Sequence, residues 1–178
     1  MIRNIAVVSL SRGVLGEAFA QHEVEIGLQR LAGYGVNVRF MPNARRGIDY
    51  LTAHPEARAA DLLQAFRDPG IDMILCAIGG DDTYRLLPYL FDHDELRRAV
   101  TGKVFLGFSD TTVNHMMLHK VGLPTFKKPT PGRLYRESAF FFSYGVSFPS
   151  SRQGPVMRSA RQRPSLLPGR YPPSGGWF

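Results

Sequence analysis

The sequence predicts a doubly wound α/β fold with a mostly parallel sheet, and three observations carry that reading. Short apolar runs alternate with longer stretches of helical spacing. One of the runs, residues 71–78, is apolar nearly throughout, as expected of a strand covered on both faces. Glycines stand where two of the runs end, at Gly79-Gly80 and at Gly107.

Taken in order, residues 4–10 form a first buried strand, and Ser11-Arg12-Gly13 a loop. The next segment reads as a helix to Gly33, with Ala20, Val24, Leu28 and Leu31 on one face. Residues 36–41 alternate like a second strand, and 42–47 are a loop. Pro55 suits a first helical turn. Ala59, Leu62, Leu63 and Phe66 give that helix its apolar face, and Asp68-Pro69-Gly70 ends it. Residues 71–78 are the third strand. Gly79-Gly80-Asp81-Asp82 turns into a helix through Leu90, and a short helix over 94–100 leads to a fourth strand at 103–106. A last helix carries Val113, Met116, Met117 and Val121 as one stripe and stops at Gly122-Leu123-Pro124. Four strand–helix units of this kind make layers of the Rossmann or flavodoxin type, assigned to a domain over residues 1–126.

The text changes at Lys127. Of the 178 residues, 1–126 hold 13 Lys+Arg against 14 Asp+Glu, net −1, and 127–178 hold 9 against 1, net +8, which together give the chain's +7. The basic pI of about 9.9 therefore belongs to the tail. Rich in proline and arginine, residues 127–178 read as a disordered or frame-shifted end. A nucleic-acid-binding role for it is weaker than that of a solvated or non-native end, so neither a nucleic acid nor a membrane is expected as a partner. No run nears the roughly 18 apolar residues of a membrane span. The start is too short and strand-like for a signal peptide, so a cytoplasmic protein is expected. The single Cys76 allows no internal disulfide and sits in an apolar strand, as a buried, inert thiol would.

In open sheets of this type, ligands bind in the crevice at the carboxyl ends of the strands. Gly79-Gly80 and Gly107-Phe108-Ser109 both follow strands, so they share that rim and face each other if the strands are neighbours. Ser109 stands at a helix N-terminus, where backbone N–H groups favour negative charge. Such a corner suits a nucleophile beside an oxyanion site. It suits an ordinary helix cap as well.

Three stretches together resemble the LD-carboxypeptidase family of serine peptidases, which includes murein tetrapeptide carboxypeptidases and microcin self-immunity proteins. They are Ile78-Gly79-Gly80-Asp81-Asp82-Thr83-Tyr84-Arg85-Leu86-Leu87-Pro88-Tyr89-Leu90, Lys103-Val104-Phe105-Leu106-Gly107-Phe108-Ser109-Asp110-Thr111-Thr112, and Arg58-Ala59-Ala60-Asp61-Leu62-Leu63-Gln64-Ala65-Phe66-Arg67-Asp68-Pro69. The resemblance covers residues 1–126. It implies Ser109 as the nucleophile. It implies an oxyanion hole from the backbone N–H of Asp110 and one from the Gly79-Gly80 turn, with Gly80 as donor and Gly79 lining the substrate. Arg85 could hold a substrate carboxylate, and its position on a helix suits a surface salt bridge equally. The implied substrate is a peptide, cleaved at an amide next to a D-amino acid in peptidoglycan peptides or in a peptidyl-nucleotide antibiotic. No metal or cofactor is implied, and since family members are commonly dimers, the resemblance implies a homodimer for the intact protein.

One departure weighs against activity. A serine needs a base within about 2.6–3.2 Å to lose its proton. In the family, a Glu and a His from a C-terminal domain supply it. His115, six residues after Ser109, lies roughly 9 Å along the helix and about 240° around it. His119 is further still, and His22, His54 and His93 suit exposed or capping positions. The chain is therefore expected to be a truncated or frame-shifted copy, or a misread gene, inactive alone. Two alternatives remain: a phosphofructokinase-like phosphate-binding domain built on Gly79-Gly80-Asp81-Asp82-Thr83, and a non-catalytic partner that self-associates through an uncovered flank.

Overall fold

The computed structural model describes residues 2–77 and 80–125. Gly79 and the 127–178 tail, with the readings made for them, lie outside the described residues. Four short strands form one sheet: β1 (Asn4–Val8), β2 (Asn37–Phe40), β3 (Met73–Cys76) and β4 (Val104–Leu106). Their order is β2-β1-β3-β4 and every pair is parallel. Ile5 registers with Val38 on one side and Met73 on the other, and Met73 with Val104.

The period of two along each strand divides the core into two layers. Ile5, Val7, Met73, Leu75 and Leu106 face one side, where α1 (Gln21–Gly33) brings Val24 and Leu31. Ala6, Val8, Ile74, Cys76 and Phe105 face the other. There α3 (Pro55–Arg67), α4 (Leu87–Phe91), α5 (Glu95–Ala99) and α6 (Thr112–Lys120) contribute Leu62, Phe66, Leu90, Leu96 and Leu118. Both faces being covered explains why β3 is buried at all four residues. The doubly wound parallel sheet is thus the observed architecture.

Local differences have physical causes. A helix, α2 (Ile48–Ala53), precedes Pro55 where no helix was expected. Its start is organised from a distance: Glu17 Oε1 accepts from the Ile48 N–H at 2.7 Å, and Gly47 enters with φ +86°. No local spacing reports such a bond. The first helix is preceded by two 3₁₀ turns, Val14–Gly16 and Ala18–Ala20, so it begins at Gln21. After β3 the chain makes a 3₁₀ turn at Thr83–Leu86 before α4. Of the expected stripe, Val113, Met117 and Val121 pack on the core, but Met116 is 64% exposed, while Asn114, His115 and Leu118 are also buried. A polar Asn and a His take core positions that an apolar count passes over. Among the described residues, no helix is long and apolar enough to cross a membrane. Cys76 is a free, buried thiol whose pKa burial pushes up, in keeping with an inert role.

The strand order reverses between β1 and β3, since β2 lies on one side of β1 and β3 with β4 on the other. Loops at such a switch point diverge and leave a crevice at the carboxyl edge. The loops after β1, β3 and β4 therefore border one rim.

The core assignment predicts that Phe66→Ala, which empties a fully buried site under the sheet, lowers stability by about 3–5 kcal/mol. Met116→Ala, on the exposed side of α6, changes it by no more than about 0.5 kcal/mol. Urea unfolding of the two variants measures the contrast.

Candidate active site

The site is built from the three loops that leave β1, β3 and β4. After β4 the chain crosses Gly107, which packs where a side chain has no room: a Cβ there would lie 2.5 Å from Thr111 Oγ1 and 3.3 Å from Cys76 Cβ. Phe108 is extended, with φ −139° and ψ 166°. Ser109 then turns into the left-handed region at φ +57° and opens the 3₁₀ turn Ser109–Thr111 that feeds α6. A non-glycine residue held there costs about 1–3 kcal/mol and persists only where its surroundings determine it. The buried Thr111 closes the corner, donating both its N–H (3.2 Å) and its hydroxyl (2.7 Å) to the Phe108 carbonyl.

Ser109 is exposed, and it caps neither the 3₁₀ turn nor α6 through its side chain. The ordinary cap reading of this corner is therefore not what the geometry shows. A strand, a sharp left-handed serine and a helix are the parts of a nucleophile elbow, which lifts a hydroxyl clear of the sheet edge. The neighbouring Asp110 turns its carboxylate back into the protein. Its Oδ2 accepts from Ser11 Oγ at 2.5 Å and from the Thr83 N–H at 3.0 Å.

The loop after β3 stands beside it, because β3 and β4 are paired neighbours. Gly80 has φ +134°, and a Cβ on it would come within 1.7 Å of Ser11 Oγ. Only glycine allows the chain this approach. Gly80 and the serine corner thus lie on the same rim, joined through Ser11.

Behind them is a charged group for which the sequence reading had no role. Arg58, on α3, is fully buried at 0% exposure. Its Nη1 donates to the carbonyls of Leu10 (3.3 Å) and Ser11 (3.2 Å) and to Asp82 Oδ1 (2.8 Å), and its Nη2 donates to Asp82 Oδ2 (3.1 Å). Burial opposes the charge on Asp82, but the Arg58 fork, helped by Arg85, holds its carboxyl below the ordinary range. Thr83, buried beside them, has its hydroxyl 2.9 Å from both the Leu10 carbonyl and Asn114 Oδ1. The clue to Arg58 in the sequence was slight: one arginine four residues into a helix, flanked by alanines, in a stretch whose charges otherwise face water.

Arg85 is half-buried and engaged, with Nη1 donating to the Thr52 carbonyl at 2.7 Å and lying 3.5 Å from Asp82 Oδ2. His115 is buried edge-on against Phe105, with ring centroids 5.0 Å apart, and its Nε2–H donates to the Gly107 carbonyl at 3.1 Å. Burial lowers its pKa, against the pull of that bond. His54 pairs with Glu56 at the start of α3, while His22 and His93 are exposed. Among the described residues, no group of three or more His, Cys, Asp or Glu is arranged to hold a metal.

Residues 5–128 match the model of the LD-carboxypeptidase N-terminal domain. The chain belongs to the LD-carboxypeptidase family. Among curated relatives, the murein tetrapeptide carboxypeptidase of Pseudomonas aeruginosa is 33% identical over 112 residues, 63% of this chain and 36% of that protein. The microcin C7 self-immunity protein of Escherichia coli is 35% identical over 81 residues, 45% of this chain and 23% of that protein. Among solved structures, a microcin-immunity-like protein from Streptococcus pneumoniae in complex with AMP superposes with a TM-score of 0.68 at 59% identity, covering 69% of this chain and 36% of that one. One from Bacillus anthracis does so with a TM-score of 0.55 at 32% identity, covering 68% and 36%. The chain spans about a third of the length of the curated relatives it matches. The kinase alternative gains no support from these relatives.

Two predictions follow from the site's electrostatics. Arg58→Ala leaves Asp82 without its forked partner in a largely enclosed position and lowers stability by about 3–5 kcal/mol in urea unfolding. For His115, the folded pKa lies below the ordinary 6.5, so the unfolded chain binds the extra proton first. The contribution of its neutral form is complete above that value and is lost as pH falls toward the folded pKa. The parent chain is therefore expected to lose more stability than His115→Gln between about pH 7.5 and pH 5.5.

Proposed function

We propose that this chain carries the nucleophile half of a serine carboxypeptidase site, with Ser109 as nucleophile. The observation that carries the reading is the exposed serine at φ +57° between β4 and α6. A strained residue on a rim is a place where backbone energy is stored for a task. The Ser109 Oγ attacks the amide carbonyl, its proton passes to a base, and the carbonyl oxygen becomes an oxyanion. Backbone N–H groups stabilise that charge where it develops. The Asp110 N–H, in the first turn after the serine, and Gly80 across the crevice suit this role, with Gly79 beside the substrate. Collapse of the intermediate expels the amine, which takes up the proton, and leaves an acyl-serine that water hydrolyses.

The substrate is a small peptide conjugate. A relative named for murein tetrapeptides and a structure holding AMP support, respectively, a peptidoglycan peptide and a peptidyl nucleotide. Arg85 reads as a structural residue first, since Asp82 and Thr52 already engage it. No His or Glu is hydrogen-bonded to Ser109 among the described residues, and His115 Nε2 is committed to Gly107. The base is therefore proposed to come from a part of the protein outside them, and the 178-residue chain alone is proposed to turn over no substrate.

Two measurements test this. The purified chain should show no release of D-alanine from an L,D-tetrapeptide, and detectable turnover would refute the need for an outside base. A fluorophosphonate should label Ser109 slowly and to one equivalent, read by peptide mass spectrometry, and Ser109→Ala should abolish the label. Label spread evenly over other serines would remove Ser109 from the nucleophile role.

A further inference from the structure

Ser109 keeps a conformation that a serine does not choose, and the side chain next to it shows what holds it there. The Asp110 carboxylate takes two hydrogen bonds on one oxygen, from Ser11 Oγ after β1 and from the Thr83 N–H after β3. It thereby ties the end of β4 to the ends of both neighbouring loops. Ser11 is itself fixed. It is 1% exposed, its carbonyl accepts from Arg58, and its Oγ fills the space where Gly80 lacks a side chain.

A hydroxyl has one proton to give. Ser11 Oγ lies 2.5 Å from Asp110 and 3.4 Å from Asp82. Asp82 already holds the two Arg58 bonds, so the proton goes to Asp110. If Ser109 relaxed to negative φ, the chain direction at residue 110 would change and both bonds to its carboxylate would break. We infer that Ser11 and the Asp110 side chain are positioning residues for Ser109. Their hydrogen bond holds the left-handed corner and so sets where the hydroxyl stands. The inference rests on Ser109 as nucleophile for its purpose, but its geometry is testable without catalysis.

A thermodynamic cycle on the full chain tests the coupling. Ser109→Gly is expected to melt above Ser109→Ala, because glycine takes the same φ without strain. Repeated with Ser11→Ala, where the corner is free to relax, the gain should shrink to about half or less. Asp110→Asn keeps the shape but loses the carboxylate, and the same shrinkage is expected there, so a folding failure of one variant leaves the other to decide. A gain that is undiminished overturns the inference.

A second readout is insensitive to a merely structural role. Ser109→Cys places a thiol at the corner, and the pH midpoint of its alkylation by iodoacetamide reports the local field. The buried Cys76 gives the blank. Adding Ser11→Ala, which strips a donor from the neighbouring carboxylate, should raise the midpoint, and adding Asp110→Asn should lower it. Midpoints that move in neither variant overturn the inference. Coupling found without phosphonate labelling of Ser109 supports the hydrogen-bond assignment and removes only the nucleophile reading. Labelling without coupling does the reverse.

Discussion

The buried guanidinium of Arg58 is the constraint around which the rim is arranged. A charge withdrawn from water costs several kcal/mol unless it is paired and hydrogen-bonded in good geometry. Arg58 meets that condition at its two terminal nitrogens, with a forked pair to Asp82 and two backbone carbonyls, those of Leu10 and Ser11, and leaves only its Nε without a hydrogen bond among the described residues. These partners belong to the loops after β1 and β3, which diverge at the switch point of the sheet. One side chain from α3 thus joins segments that the topology would otherwise leave apart. A lysine, with a single ammonium on a flexible stem, could not make the same planar fork.

From that anchor the rest follows by contact. Ser11 is held by its carbonyl and presents its hydroxyl both to Asp110 and to the open side of Gly80. Gly107 lets β4 run against Thr111 and Cys76 before the chain turns. The corner at Ser109 then stands on a surface already fixed on three sides. Strain at one residue is tolerable because the bonds around it are many and mostly enclosed. The aspartate after the serine is a structural device on its side-chain oxygens, while its backbone N–H lies in the first turn of the helix.

In the proposed reading this arrangement supplies half of a reaction: a hydroxyl to attack a carbonyl and backbone N–H groups to hold the oxyanion. Removing the hydroxyl's proton is a separate task, and the histidines described here are occupied elsewhere or exposed. His115 serves the corner from within, its Nε2–H on the Gly107 carbonyl two residues ahead of the serine. The neutral imidazole that burial favours is enough to donate that bond.

The sequence by itself determined the four strands and most of the helices between them, the parallel sheet and the glycines at Gly80 and Gly107. Each is a matter of local period or of backbone freedom, and both are written residue by residue. It left Ser109 open between cap and nucleophile, because both uses put the same residue type at the same place. Only the tertiary structure showed that its side chain caps neither turn nor helix and that the residue sits at a left-handed φ. It also gave Arg58 its place, put Asn114 and His115 in the core face of α6 instead of Met116, and started α2 from Glu17. Those outcomes depend on partners 24 to 99 positions away along the chain for Arg58 with Asp82, Glu17 with Ile48 and Ser11 with Asp110. A hydrogen bond between distant segments leaves no period in either of them, so it becomes visible only when the chain has folded.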